Sequence, residues 1–396
     1  FRGDFAPFVT RESVQLLGRI SPVKAPYFSK MRVRKRAAFL AETTGNRNFP
    51  WRVVVTADND AELIDNHLVW LLATPNRVAD TDWIRPGKVA WDWYHYWILE
   101  DSTDFRQGIN TETYKYYIDF AAENGFEYVN LDFGWSPLFD LSRWKKRVNV
   151  PEIIEYARQR DVGVFLWMVL YVLDEKMEET LDRFAEWGVS GLKVDFMDRD
   201  DQRVVEFCHR LAYEASERKL LVNLHGMYKP SGLCRTYPNV INREGVLGLE
   251  NNKFNALCTP GHNLTIPFIR NAVGPMDYTP GAMRHVTEEE FDKNWRFPAA
   301  MTTRVHQMAM YVCYYGPLQM IADSPGLYPD EVLHFLEQVP TTWDETIVLE
   351  AKIGESLIVM RRKNDTWFIA GMNAGIAKEV DIAALLPKPV EFSSVS

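Results

Sequence analysis

The chain has 396 residues, 46% of them hydrophobic and 25% charged, with a net charge of −9. This composition describes an ordinary globular chain able to bury a large core, best accommodated as one large α/β domain with attachments. The acidic balance argues against nucleic acid as a main partner, since phosphate binding needs clustered Lys and Arg, and no segment reaches the ~18 consecutive apolar residues of a membrane span.

Residues 1–75 read as a small β-rich segment. In it "YFSKMRVRKRAAFL" from Tyr27 and "WRVVVTA" from Trp51 look like antiparallel strands, and an amphipathic stretch follows at Asp58–Leu72. The basic run Lys30–Arg36 reads as a solvated strand face. The chain starts at Phe1 with neither Met nor a signal-like apolar segment, as a processed or trimmed chain would. The segment "PNRVADTDWIRPG" leads out of this region.

From 76 to 335 short apolar runs alternate with longer amphipathic stretches. The runs are "KVAWDWY" (from Lys88), "YVNLDFGW" (Tyr128), "GVFLWMVL" (Gly163), "GLKVDFM" (Gly191), "LLVNLHG" (Leu220), "VINREG" (Val240), "NAVGPMDY" (Asn271) and "LQMIAD" (Leu318). Such runs suit strands buried on both faces of a parallel sheet. Between them, Val204, Cys208, Leu211 and Ala215 form a helical stripe. Similar stripes at Tyr114–Asn124 and Met177–Trp187 end at Gly125 and Gly188, residues suited to a left-handed helix stop. Eight strand–helix units over about 240 residues predict a (β/α)8 TIM barrel. A doubly wound sheet would show a Gly-rich phosphate loop after its first strand, and "WDWYHYW" is not one. Residues 336–396, with "TIVLEAKIGESLIVMRRKNDTWFIAGMN", predict a C-terminal antiparallel β-domain with a hairpin at "NDT".

The 13 Trp and 17 Tyr suit ligands with flat apolar faces such as sugar rings, although most are expected in the core. Cys208, Cys234, Cys258 and Cys313 show no metal spacing and are expected free and buried. No H-x-H or HExxH pair supports a zinc hydrolase.

In a TIM barrel, polar residues at the C-terminal strand ends face the active site. Those residues are Asp92, Asp132, Asp195, His225, Glu244 and Glu250, Asp277, and Asp323. Trp91, Trp93, Trp135 and Trp167 lie among them, and Lys193 shares the strand of Asp195. Paired carboxylates with aromatic rings are what glycoside chemistry requires, one to protonate the leaving oxygen and one to attack C1 or activate water. Asp195 still lies within its strand run, which favours a functional role. Asp198, Asp200 and Asp201 are expected at the N-terminus of the next helix. Asp132 and His225 are open between functional and structural roles, while Asp277 and Asp323 read as structural.

The motifs "GKVAWDWY", "NTETYKYYIDFAAENGFEYVNLDFGW", "GLKVDFMDRDDQ", "LLVNLHGMYKPSGLCRTYPNVINREGVLGLE" and "NNKF" together resemble glycoside hydrolase family 97, a family of calcium-dependent α-glycosidases, over roughly residues 49–380. The resemblance implies a catalytic barrel between an N-terminal β-sandwich and a C-terminal β-domain. It implies Asp195 as nucleophile and Glu250 as acid/base of a retaining α-galactosidase, because the inverting members carry a Glu base where this chain has Gly226. Trp91, Asp92, Asp132, Trp135, Lys193 and His225 would bind substrate, and Glu244 with Glu250 would hold Ca²⁺. An oligosaccharide substrate and a periplasmic location are implied as well; the oligomeric state is left open. Two departures stand out: the N-terminal region is far shorter than the family's sandwich, which supplies a calcium ligand, and Asn251 replaces the usual Tyr after Glu250. An α-glucosidase, or a carbohydrate-binding derivative without activity, are the alternatives.

Overall fold

The computed structural model describes residues 41–46, 50–375, 377 and 379–385. Seven parallel strands form a nearly closed barrel sheet in the order β6-β5-β4-β3-β2-β1-β7. They are β1 (Gly87–Trp91), β2 (Tyr128–Leu131), β3 (Gly163–Val169), β4 (Gly191–Asp195), β5 (Leu221–Leu224), β6 (Val240–Arg243) and β7 (Leu318–Ile321). Apart from Gly163 and Asp195, every residue in them is buried, so the apolar runs are runs because both strand faces are covered. Each fully buried Val, Leu, Ile or Phe in them contributes roughly 1.5–3 kcal/mol.

Helices cover the outside. The stripe after Asp195 becomes the helix Gln202–Glu217, with Asp201 at its N-cap accepting from Arg203 N at 3.1 Å. The helix Met177–Trp187 stops where Gly188 turns left-handed, at φ 85°. Three of the four cysteines are buried and Cys234 is half-buried; all four are free.

The expected seventh barrel strand is not a strand. Residues Asn271–Val273 form a 3₁₀ turn, Gly274 takes φ 143°, and Pro275 has no N–H to give a ladder. The segment nevertheless fills the gap between β6 and β7 with single bonds: Asp277 N donates to Arg243 O and Met276 N to Tyr315 O, both at 2.9 Å.

The N-terminal expectation divides. "YFSKMRVRKRAAFL" and the Lys30–Arg36 run lie outside the described residues. "WRVVVTA" is irregular backbone with Val54 84% exposed, and no described residue before β1 is in a strand. β-branched residues form a strand only where another strand takes up their backbone groups. The amphipathic stretch gives two short helices, Ala61–Ile64 and Leu68–Leu72.

After the barrel, β8 (Glu345–Lys352), β9 (Ser356–Lys363) and β10 (Thr366–Asn373) form an antiparallel sheet, turning at Asn364-Asp365 as the "NDT" signal requires. The sheet is fastened to the barrel by buried Arg361, whose guanidinium donates to Tyr314 O at 3.1 Å.

Candidate active site

Backbone register places the polar strand ends side by side. Asp195 at the end of β4 pairs with Val169 of β3. His225 N then donates to Val194 O, and Glu244 N to Leu224 O, each at 2.8 Å, and Asp277 N to Arg243 O at 2.9 Å. Asp195 ends β4, His225 and Glu244 immediately follow β5 and β6, and Asp277 lies on the segment bonded beside β6, so the four are successive steps around the C-terminal rim. Buried Arg270, which sequence reasoning missed, clamps this edge by donating to the carbonyls of Arg243 at 2.9 Å and Pro275 at 2.8 Å, and to that of Glu244.

Both oxygens of Asp195 are held. The Trp167 indole N–H donates to Oδ2 at 3.0 Å and Phe196 N to Oδ1 at 2.6 Å. Phe196 sits at φ 61°, a costly conformation for a bulky residue, about 1–3 kcal/mol. Backbone strain of this kind concentrates at functional positions. Against it lies Gly226, φ 55°, where a Cβ would come within 2.8 Å of Asp195 Oδ1 and 2.9 Å of Phe196 N. The residue after His225 can therefore carry no side chain while Asp195 stands where it does.

Behind this pair is a buried charge cluster. Lys193 Nζ pairs with Asp132 Oδ2 at 2.9 Å and lies 4.2 Å over the Trp91 ring, while the Trp91 N–H donates to the same carboxylate oxygen at 2.8 Å. His225 Nε2 bonds Asp277 Oδ2, which also accepts from Asn223 at 2.7 Å. Burial and Lys193 oppose charge on His225, but Asp277 and Glu244 outweigh them and bring its pKa to about 9. Asp277 thus holds His225 protonated and oriented, a structural part played inside the site. Glu244 Oε2 accepts from Gly226 N at 2.6 Å. Burial, and next the charge of Glu244, push the Glu250 carboxyl up to about 8.

His225, Glu244 and Glu250 each offer a ligand atom within 4.8 Å of the others. Of the three, the two carboxylates offer the hard oxygens that suit Ca²⁺. Both carboxyls are pushed up first by desolvation, Glu250 next by the charge of Glu244 and Glu244 also by that of Asp195, and a divalent cation would offset such crowding of negative charge.

Other expected site residues sit farther back. Asp92 is fully enclosed, bonded by the Trp97 indole at 2.6 Å and pushed up to about 8 by burial and then by Asp132. Trp135, expected to bind sugar, turns instead into the core. Its N–H donates to Trp167 O at 2.8 Å and its ring meets Phe184 edge-on, so it braces the strand that carries Trp167. Asp323 caps loop backbone, accepting from Met283 N at 2.7 Å and Ser324 N at 2.8 Å. Asp198 and Asp200 border a cavity of about 340 Å³ beside Gly226 and Glu244, and only Asp201 caps the helix.

A barrel whose strand-end rim carries several carboxyl groups among indole rings fits the class of the carbohydrate-active hydrolases. Comparison with known proteins makes this specific. The family model for glycoside hydrolase 97 matches residues 93–246, and that for its C-terminal oligomerisation region matches 342–389. A retaining alpha-galactosidase of Bacteroides thetaiotaomicron is 41% identical over 380 residues, covering 92% of this chain and 57% of that protein. A probable retaining alpha-galactosidase of Streptomyces bingchenggensis is 36% identical over 349 residues, 85% of this chain and 51% of that one. A family 97 enzyme from Pseudoalteromonas bound to acarbose superposes with TM-score 0.71 at 25% identity, over 80% of this chain and 54% of its own. A beta-arabinopyranosidase gives 0.68 at 28%, over 81% and 51%. The chain belongs to glycoside hydrolase family 97, and it spans about half the length of the curated relatives it matches.

Proposed function

We propose that the chain carries the catalytic centre of a retaining α-galactosidase that removes terminal α-galactosyl units from oligosaccharides, in the periplasm. The observation that carries this reading is the contact between Gly226 and Asp195. An inverting enzyme needs a base on the face of the sugar opposite the leaving group. Here that position has no side chain and no room for one, and the Asp195 carboxylate occupies the space.

In the first step Asp195 Oδ attacks the anomeric carbon as the C1–O bond to the leaving group breaks, and Glu250 passes its proton to the departing oxygen. In the second step Glu250, now ionised, takes a proton from water, whose oxygen displaces Asp195 from C1. A carboxyl poised near 8 is suited to hold its proton until the leaving oxygen needs it. Trp167 and Phe196 N keep the nucleophile aimed, and the Lys193–Asp132 pair and His225 fix the charge behind it. Ca²⁺ held by Glu244 and Glu250 would supply positive charge to orient substrate hydroxyls, and would bring the Glu250 pKa down toward neutrality.

Galactose is favoured over glucose by the names of the two curated relatives and by the arabinopyranosidase neighbour, since β-L-arabinopyranose matches α-D-galactopyranose around the ring, axial O4 included. Hydrolysis of p-nitrophenyl α-galactoside and α-glucoside tests the proposal. With calcium, the galactoside is expected to be favoured at least about tenfold in kcat/KM, roughly 1.4 kcal/mol. Chelation is expected to lower kcat with the far-ultraviolet circular dichroism unchanged. The opposite preference would make the protein an α-glucosidase; no turnover of either substrate would make it a binding protein.

A further inference from the structure

Beyond the carboxylates, a tier of aromatic rings runs from the C-terminal end of β1 to the surface. Trp91 stacks on Trp93 at 5.7 Å and 21°. Trp93 meets Trp295 edge-on at 5.7 Å and Phe254 at 6.2 Å, and Phe254 meets Trp295 at 5.2 Å. The two outermost rings remain open, Trp295 37% and Phe254 43% exposed. Lys253 is the bolt of this group. Its Nζ lies 3.9 Å over Trp93 and 4.8 Å over Trp295, and it donates to Trp93 O at 2.7 Å and Tyr94 O at 2.8 Å.

The position of these rings relative to the acid/base is set by local geometry. Glu250 and Lys253 share the 3₁₀ turn Leu249–Lys253, and side chains three apart on such a turn eclipse one another. The rings gathered on Lys253 are therefore on the Glu250 side of the site. The excursion that delivers Trp295 is anchored at its base, where Val286 N donates to Ala300 O and Ala300 N to Arg284 O, both at 2.9 Å. Farther along it, Phe297 lies under Arg284, which is ion-paired with Glu100, and Arg296 stands 5.1 Å over Tyr96. An anchored loop that leaves an indole half-open on the Glu250 side of the site is suited to receive a ring.

We infer that Trp295 and Phe254 form the platform for the leaving-group sugar, stacking on the apolar face of the pyranose bonded to the galactose. This rests on the proposed reaction, because the group that Glu250 protonates must depart on the Glu250 side. It makes the protein selective for sugar aglycones over small leaving groups, through KM.

The test uses Trp295→Ala and Trp295→Phe with two substrates, melibiose and α-galactosyl fluoride, the latter having no leaving-group sugar. For Trp295→Ala the ratio of kcat/KM for melibiose to that for the fluoride is expected to fall about tenfold, mainly through KM. Trp295→Phe is expected to restore most of it. Calorimetric titration of melibiose into Asp195→Asn, with and without Trp295→Ala, reads the same site without turnover and should show a Kd about tenfold weaker. An unchanged ratio and an unchanged Kd would overturn the inference. If the unmutated protein hydrolyses neither substrate, the proposed reaction fails and the titration alone decides the platform.

Discussion

Asp195→Gly is expected to lower turnover of α-galactosides by about 10⁴-fold or more and, when sodium azide is added, to form β-galactosyl azide. The size of the loss follows from removing a nucleophile whose attack splits one difficult displacement into two easier ones. The rescue follows from the surroundings of the lost carboxylate. Trp167 Nε1 and Phe196 N both point at the Asp195 oxygens, so a small anion entering the vacated space meets two donors already in position. Azide attacking from that face displaces the leaving group with a single inversion, and the product is β. The anomer is read by ¹H nuclear magnetic resonance and folding by circular dichroism. An α-azide, or a folded variant that azide does not revive, would remove Asp195 from the nucleophilic role.

Glu250→Ala is expected to separate substrates by leaving group. Melibiose, whose departing alkoxide needs a proton, should lose about 10²–10⁴-fold in kcat/KM, whereas α-galactosyl fluoride should lose far less. Azide should again be incorporated, now into the glycosyl-enzyme, which has already been inverted once. The second inversion gives α-galactosyl azide, the opposite anomer from the Asp195 variant. The contrast matters because Glu250 and Glu244 also face each other as the proposed calcium pair. Equal losses on both substrates would mean that Glu250 acts by holding the cation and not as a proton donor.

Much of this site was legible in the chain because each functional residue ends a run whose cause is simple. β4 and β5 read as apolar strands since both their faces are buried, and Asp195 and His225 stand where the apolar run gives way to polar residues at the strand ends. Glu244 follows β6 in the same way. The seventh position of the barrel misled for the same reason: "NAVGPMDY" is apolar enough, but Gly274 and Pro275 deny it a ladder. Its Asp277 was read as structural, and the bond to His225 makes it so while keeping it within the site. Trp135 could not be placed from sequence, because four residues beyond a strand end the chain has already turned and the ring can face either way. Lys253 and Trp295, 42 residues apart, meet only through the fold. The "NNKF" motif was the one local hint of that contact.

The central claim is that Asp195 and Glu250 carry out two successive displacements at C1. The most direct test is the anomeric form of the first galactose released from an aryl α-galactoside, followed by ¹H nuclear magnetic resonance within the first minutes of reaction. The account predicts α-galactose first, with the β anomer growing in only as fast as mutarotation allows. β-Galactose appearing first would contradict it.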